Sequence, residues 1–472
     1  MIPLQKILFA LTLIKSISGI RGTIGGKPGD NLTPIDIVKF ASAYGEMLRS
    51  INPNKRLKVV IGRDARISGA MVSSLVGSTL SGMGIDVIDL GLSTTPTVEI
   101  AVPTEQADGG IIITASHNPE QWNALKLLDS KGEFISAEAG QTLIYLAEKE
   151  DFNYADVHGL GNYQIDNSYL KKHIDLVVNY PLVDVEAIRQ ADLKIAVDGV
   201  NSSGGIFVPA LLKALGVKHI EELYCEPSGV FRHNPEPFFE HLEDLSNLVL
   251  LQECDLGITV DPDVDRLAFV CENGDVFGEE YTLVAVADYV LSQRKGSAVS
   301  NLSSTRALSD VARKRGGTYH ASAVGEVNVV AKIKEVNAVI GGEGNGGIIV
   351  PDFHYGRDAL IGIGLFLTHL AKSGMSMLDL RDGYPAYFIS KNKIELTPEV
   401  NVDDVLDQMA EKYKSESVNR VDGVKIDFDS GWVHLRKSNT EPIIRIYAEH
   451  ATETEATRLA ERIMTEIKVI IS

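Results

Sequence analysis

Short apolar runs that each end in a polar loop constrain this chain more than any other feature. They lie at 57–61 (LKVVI), 85–90 (IDVIDL), 109–113 (GGIII), 193–197 (LKIAV), 256–260 (LGITV), 298–302 (AVSNL) and 338–340 (AVI). The residues that follow are polar or glycine-rich, among them Gly62-Arg63-Asp64, Thr114, Asp198-Gly199-Val200-Asn201, Asp261 and Ser303-Ser304-Thr305. Helical stretches intervene, as at 70–82 and in the segment that ends at Leu215. Alternating with helices, such runs read as buried strands of parallel sheets with helical crossovers. Ligands of open α/β sheets bind outside the carboxyl ends of the strands, so the loops are where chemistry is expected.

The rhythm restarts twice, which gives three α/β units of similar design without a detectable sequence repeat. The last part differs. Residues 402–413 read as helix, 423–428 and 432–435 as a strand pair around Asp429-Ser430-Gly431, 443–448 as a strand and 453–467 as an amphipathic helix. The expected fold class is therefore α/β: three similar α/β domains with mixed, mainly parallel sheets and a C-terminal α+β domain. The domains are placed at 1–160, 161–266, 267–385 and 386–472. A chain of 472 residues has room for them at roughly 100–200 residues per domain.

A net charge of −19 with no Lys/Arg block argues against a nucleic-acid partner. If the ligand is a phosphate, cations must be gathered locally, and Arg21, Arg63, Arg66, Arg266, Arg436 and Arg445 all lie in or beside Gly/Ser/Asp-rich segments. The cysteines Cys225, Cys254 and Cys271 form no CxxC pair, which fits a reducing, cytoplasmic setting. The apolar run 7–14 behind Lys6 imitates a signal peptide. It is far too short to span a membrane and reads better as a strand leading into Ser18-Gly19-Ile20-Arg21-Gly22. No membrane association is expected.

Four constellations carry chemistry. Thr114-Ala115-Ser116-His117-Asn118-Pro119 follows a strand and ends in a turn-former; it is either a polar turn or an exposed nucleophile with His117 beside it. Asp261-Pro262-Asp263-Val264-Asp265-Arg266 carries carboxylates at every second position. In a straight strand the outer two would stand ~13 Å apart at ~3.3 Å per residue, whereas ligands of one Mg²⁺ lie at most ~4.2 Å apart. The segment must therefore curl if it is a metal loop rather than a solvated acidic turn. Gly341-Gly342-Glu343-Gly344-Asn345-Gly346-Gly347 is either a tight connection or a loop whose glycines leave room for a ligand, with Glu343 and Asn345 suited to sugar hydroxyls. Arg436-Lys437-Ser438-Asn439-Thr440-Glu441-Pro442, with Arg445, is either a hairpin turn or a phosphate cradle.

In this order and spacing, the four segments resemble the α-D-phosphohexomutase superfamily over nearly the whole chain. The resemblance implies four domains around a central cleft, each donating one loop. It implies a phosphoserine at Ser116, and Mg²⁺ held by Ser116, Asp261, Asp263 and Asp265. Glu343 and Asn345 would read the sugar, and Arg266, Arg436, Ser438, Asn439, Thr440 and Arg445 would complete substrate binding. Arg21, Lys126 and His117 would serve near the transferred phosphoryl group, with Lys126 as the general base and His354 as a lesser candidate.

Two departures bear on that base: Gly347 stands where several branches carry histidine, and Asn123-Ala124 replaces the usual Asn-Gly before the lysine. The implied activity is interconversion of hexose 6- and 1-phosphates through a hexose 1,6-bisphosphate, which also serves as activator. The leaning is toward phosphoglucosamine mutase, with phosphomannomutase/phosphoglucomutase as the alternative. A non-catalytic sugar-phosphate-binding protein is the reading from another class; retention of Ser116 with all three aspartates weighs against it. The oligomeric state is left open.

Overall fold

The computed structural model describes residues 12–16, 19–397, 400–437 and 443–471; most of the run 7–14 and Ser18 lie outside them. The chain divides into two compact units, one running through Gly278 and taking in Asp352–Gly374, the other formed by Glu279–Pro351 and Met375–Ser472.

The first unit holds two sheets. Its seven-stranded sheet contains β1 (Ile14–Ser16), β2 (Gly19–Thr23), β3 (Lys58–Arg63), β4 (Asp86–Leu92), β5 (Gly109–Ile113), β6 (Trp122–Leu128) and β7 (Tyr163–Ile165), in the order β1-β2-β6-β5-β3-β4-β7. β3 pairs in parallel with β4 and β5, while β6 returns antiparallel beside β5. Val59, Ile61, Ile111 and Ile113 pack on one side with Ile37, Phe40 and Tyr44 of the helix Pro34–Ile51. Val60 and Ile112 pack on the other side with Val98 and Val102 of the helix Thr95–Thr104. Alternate residues of one strand thus serve opposite faces, and burial of both faces is why these strands read as unbroken apolar runs.

The second sheet has β8 (Lys194–Asp198), β9 (His219–Leu223), β10 (Leu256–Val260) and β11 (Leu267–Cys271), ordered β11-β10-β8-β9. The expected break at 266 falls inside it: LAFVC is the antiparallel return of β10, not the start of a new unit. The helix Ala359–Ser373, expected in the third domain, packs with this first unit, where Phe366 stacks on Phe269 of β11 at 3.8 Å between ring centroids.

The second unit holds β12 (Ser297–Asn301), β13 (Thr318–Ser322), β14 (Ile340–Glu343) and β15 (Gly347–Ile349), ordered β13-β12-β14-β15. It also holds an all-antiparallel sheet of β16 (Phe388–Glu395), β17 (Ser417–Asn419), β18 (Val424–Asp427), β19 (Gly431–Lys437) and β20 (Ile443–His450), ordered β16-β20-β19-β18-β17. The helices Val402–Lys412 and Glu453–Ile471 supply Leu406, Met409, Ile463 and Ile467 to its core.

The three mixed sheets share one plan. Three neighbouring parallel strands are followed by an antiparallel return beside the last of them: β4-β3-β5 then β6, β9-β8-β10 then β11, β13-β12-β14 then β15. The serine, aspartate and glycine-rich segments each occupy that same return. No helix of the described residues is long and apolar enough to cross a membrane.

Candidate active site

The β5–β6 return carries Ser116, which is nearly buried and has φ +50, a left-handed conformation uncommon outside glycine. Its N–H donates to Thr114 Oγ1 at 2.9 Å. Its hydroxyl donates to Asp261 Oδ2 at 2.9 Å, and His117 Nδ1 lies 3.2 Å from the same oxygen.

The β10–β11 return curls as the ligand-distance argument requires. Val264 takes φ +62 and donates its N–H to Asp261 O at 3.0 Å. A β-branched residue in that region is a genuine outlier and persists only where its surroundings over-determine it. Three elements do so. The hydroxyl of Ser202 donates to Pro262 O at 2.8 Å, Thr95 N–H to Asp263 O at 2.9 Å and Ala359 N–H to Val264 O at 3.2 Å. Asp261 Oδ1 accepts the N–H groups of Asp265 and Arg266. The result brings one carboxylate oxygen from each of Asp261, Asp263 and Asp265 within 4.8 Å of the others, all three residues fully buried.

Two cations face this trio. Lys126 Nζ lies 2.6 Å from Asp263 Oδ2 and 3.3 Å from Asp265 Oδ2, and Arg357 donates to Asp265 Oδ2 at 2.7 Å. The Oδ1 atoms of Asp263 and Asp265 are buried and accept no hydrogen bond among the described residues. A hard, all-oxygen donor set with two idle lone-pair edges fits a divalent cation of the Mg²⁺ kind.

Electrostatics differ sharply within the trio. Burial, then Asp265 and Asp263, push the Asp261 carboxyl well above the ordinary range. Burial would raise Asp263 too, but Lys126 and the Thr95 hydroxyl hold it low. Burial would lower Lys126, yet Asp263 and Asp265 outweigh it and hold the ammonium protonated. Lys126 is thus a counter-ion of Asp263 and Asp265 here, and its expected role as general base would need the neutral amine. Burial and the neighbouring Arg266 push His117 down to about 2, so its imidazole is neutral and a weak base. His354 is engaged elsewhere, 3.1 Å from Asp358 Oδ2 and 3.5 Å from Glu99 Oε2. Arg21 on β2 stands opposite Ala124, on the same sheet face as Lys126, and burial lowers its pKa.

Sequence reasoning missed two contributors, Glu236 and Arg357, and did not foresee the contacts of Arg266 and Arg66. Glu236 accepts from Arg266 at 2.8 Å and lies 3.7 Å from His117 Nε2. Arg266 Nε is buried without an acceptor among the described residues, as suits an arginine awaiting an anion. Arg357 meets Asp265 from 92 residues away. Arg66, one of the cations noted in a loop-like segment, hydrogen-bonds the carbonyl of Ser116. No spacing rule links any of these to their partners.

In the second unit, Glu343 is buried and accepts from Asn301 Nδ2 at 2.8 Å and from Gly325 N–H at 3.1 Å. Asn345 Oδ1 accepts Gly347 N–H at 3.2 Å and so closes the hairpin turn. Two of the glycines sit where neighbours come close, which fits the tight-connection reading of this loop. A Cβ on Gly342 would fall 2.0 Å from Gly347 O, and one on Gly344 2.0 Å from Glu280 Oε2.

Arg436 and Arg445 stand directly opposite each other on β19 and β20, and Lys393 of β16 stands opposite Arg445. Three like charges in one cross-strand row repel unless an anion lies among them. Asp422 offsets part of this at 2.9 Å from Arg436 Nε. Ser438, Asn439 and Thr440 lie outside the described residues.

Models of the phosphoglucomutase/phosphomannomutase family match in four parts: its α/β/α domain I over residues 13–154, domain II over 171–274, domain III over 278–387 and its C-terminal domain over 398–466. The chain is similar to a phosphoglucomutase/phosphomannomutase of Thermococcus kodakarensis, 36% identical over 93% of this chain and 96% of that one. It is similar to a phosphoglucosamine/phosphogalactosamine mutase of Sulfurisphaera tokodaii, 32% identical over 96% and 98%. A solved structure of a phosphoglucomutase/phosphomannomutase family protein from Burkholderia thailandensis superposes with a TM-score of 0.84 at 26% identity, over 97% of this chain and 98% of that one.

Proposed function

This chain belongs to the phosphoglucomutase/phosphomannomutase family and is a phosphohexomutase, and on that premise we propose how it works and on what. Ser116 is the phosphoryl carrier. The observation that carries this is its hydroxyl, 2.9 Å from a carboxylate of the buried aspartate trio. A cation bound between this oxygen and the carboxylates would turn their repulsion of a phosphoryl group into attraction.

Asp261, Asp263 and Asp265, with the phosphorylated Ser116, would hold Mg²⁺. The ion supplies positive charge against the phosphoryl oxygens when bound. Lys126, Arg357 and Arg266 add fixed positive charge from the protein side. The P–O bond to Ser116 breaks as a bond to the C1 or C6 oxygen of the hexose forms, and the proton of that hydroxyl ends on Ser116 Oγ, which leaves as the free hydroxyl. The bisphosphorylated hexose then reorients and returns its other phosphoryl group to Ser116; added from outside, the same bisphosphate acts as activator. Catalysis rests mainly on position and charge, as expected for a loose phosphoryl-transfer transition state. Glu343 and Asn345 read sugar hydroxyls, and Arg436 and Arg445, with Ser438, Asn439 and Thr440, hold the phosphate that is not transferred.

Reorientation constrains the substrate. Exchanging C1 and C6 roughly exchanges O3 with O4, so polar groups reading those two serve both poses, whereas a fixed partner for C2 would be unmet in one. An unmet buried polar group costs ~1–3 kcal/mol. The enzyme therefore discriminates loosely at C2, with a leaning toward glucosamine phosphate. Coupled assays with glucosamine, glucose and mannose phosphates test this: kcat/KM values should lie within roughly a thousandfold, or ~4 kcal/mol, and Glu343→Ala should depress all three. A single exclusive substrate would refute it.

A further inference from the structure

We propose that Arg66 is a positioning residue that holds Ser116 in its left-handed conformation and so sets where the carried phosphoryl group stands against the aspartate trio. The consequence for turnover rests on the phosphohexomutase reading; the hold on Ser116 does not.

Arg66 is 1% exposed, and all five of its side-chain N–H groups are used. Nε donates to Asp64 Oδ2 at 3.0 Å. One terminal nitrogen donates to Pro119 O at 2.7 Å and Trp122 O at 3.0 Å, the other to Ser116 O and Asn118 O, each at 2.5 Å. A guanidinium has five donors in a rigid fork, so four carbonyls of one short loop converge on it. The loop bends around this single cation, and the carbonyl of Ser116 is among those it fixes.

Asp64 completes the clamp. It accepts Arg66 N–H through Oδ1 and the Thr114 hydroxyl through Oδ2, and Thr114 Oγ1 in turn accepts Ser116 N–H. Both sides of the Ser116 backbone thus lead to the Asp64–Arg66 pair. A left-handed φ on serine persists only where the surroundings enforce it, and this pair is what enforces it. The ring of Phe231 covers the guanidinium at 5.1 Å, and Ala65 N–H is tied to Ser202 Oγ at 3.2 Å, so the clamp is fixed to both sheets of the first unit. A lysine would keep the charge but could reach at most three of the five acceptors, with no preset angle between them.

The test compares S116A with S116G in the parent and in R66K. At a left-handed site glycine is favoured over alanine; at a right-handed or extended one the order reverses. In the parent, S116G should melt ~2 °C above S116A. In R66K that gap should close or change sign. Should R66K fail to fold, D64N, which keeps the shape and removes the charge, replaces it, and the gap should narrow. An unchanged gap overturns the proposal. With Ser116 restored, R66K should lower kcat by roughly a hundredfold and leave KM within about threefold, and an unchanged kcat overturns it equally. If the parent turns over no hexose phosphate, the functional reading fails, while the melting comparison still decides whether Arg66 holds Ser116.

Discussion

Replacing either Asp261 or Asp263 with asparagine removes one negative charge from the same loop, yet the two changes should have opposite effects on the metal-free protein. Asp263 is compensated by Lys126 at 2.6 Å and the Thr95 hydroxyl at 2.5 Å. Asp263→Asn breaks a buried ion pair, a change worth ~3–5 kcal/mol when it strands the partner. Here Asp265, 3.3 Å from the same ammonium, remains as a partner, so a loss of ~2–3 kcal/mol is expected. That corresponds to ~4–6 °C in Tm at ~2 °C per kcal/mol for a large domain. Asp261→Asn removes the carboxylate that burial and its two neighbours disfavour. The amide keeps an acceptor for the N–H groups of Asp265 and Arg266 and offers a donor to Ser116 Oγ, so its effect should be neutral or stabilising.

The pH dependence has the matching sign. Raised above its unfolded value of 3.8, Asp261 gives stability that is full below that value and lost as pH climbs toward the folded one. Asp263, held below 3.8, gives stability that is full above 3.8 and lost as pH falls toward its folded value. Calorimetry in excess EDTA at neutral pH and at pH 4 checks both. An Asp263→Asn variant as stable as Asp261→Asn would refute this assignment of charges.

Three further outcomes follow from the proposed function. Ser116→Ala should abolish turnover and the added phosphoryl group seen by intact-mass spectrometry, because a neighbouring group does not readily replace a covalent carrier. EDTA should abolish activity and Mg²⁺ restore it, as followed in a coupled mutase assay. Arg445→Ala should raise KM roughly ten- to 150-fold, the ~1.5–3 kcal/mol of a charge-assisted contact, with an unchanged KM placing the phosphate elsewhere.

The apolar runs and the chemistry of their loops were legible in the chain itself. LGITV is β10 residue for residue, and the need for Asp261, Asp263 and Asp265 to curl together followed from strand rise and metal–oxygen distances alone. Local information suffices there because strand period, turn formers and ligand spacing act over a few residues. It also set limits that tertiary structure overrode. LAFVC looked like the opening of a new unit and is the return strand of the second sheet. The glycines of 341–347 allowed either a tight connection or room for a ligand, and only the fold shows that Gly347 and Glu280 come close at Gly342 and Gly344.

Only the fold decided what Lys126, Arg66 and Arg357 do. Each carries the same charge in sequence, but Lys126 is fixed as a counter-ion by carboxylates more than a hundred residues away. Arg66 spends its donors on backbone carbonyls, and Arg357 arrives on a segment that leaves the third sheet and packs with the first unit. The common position of the three returns, each beside the last of three parallel strands, is likewise absent from residue identity. It is a property of strand order, set by which apolar faces find each other when the chain collapses.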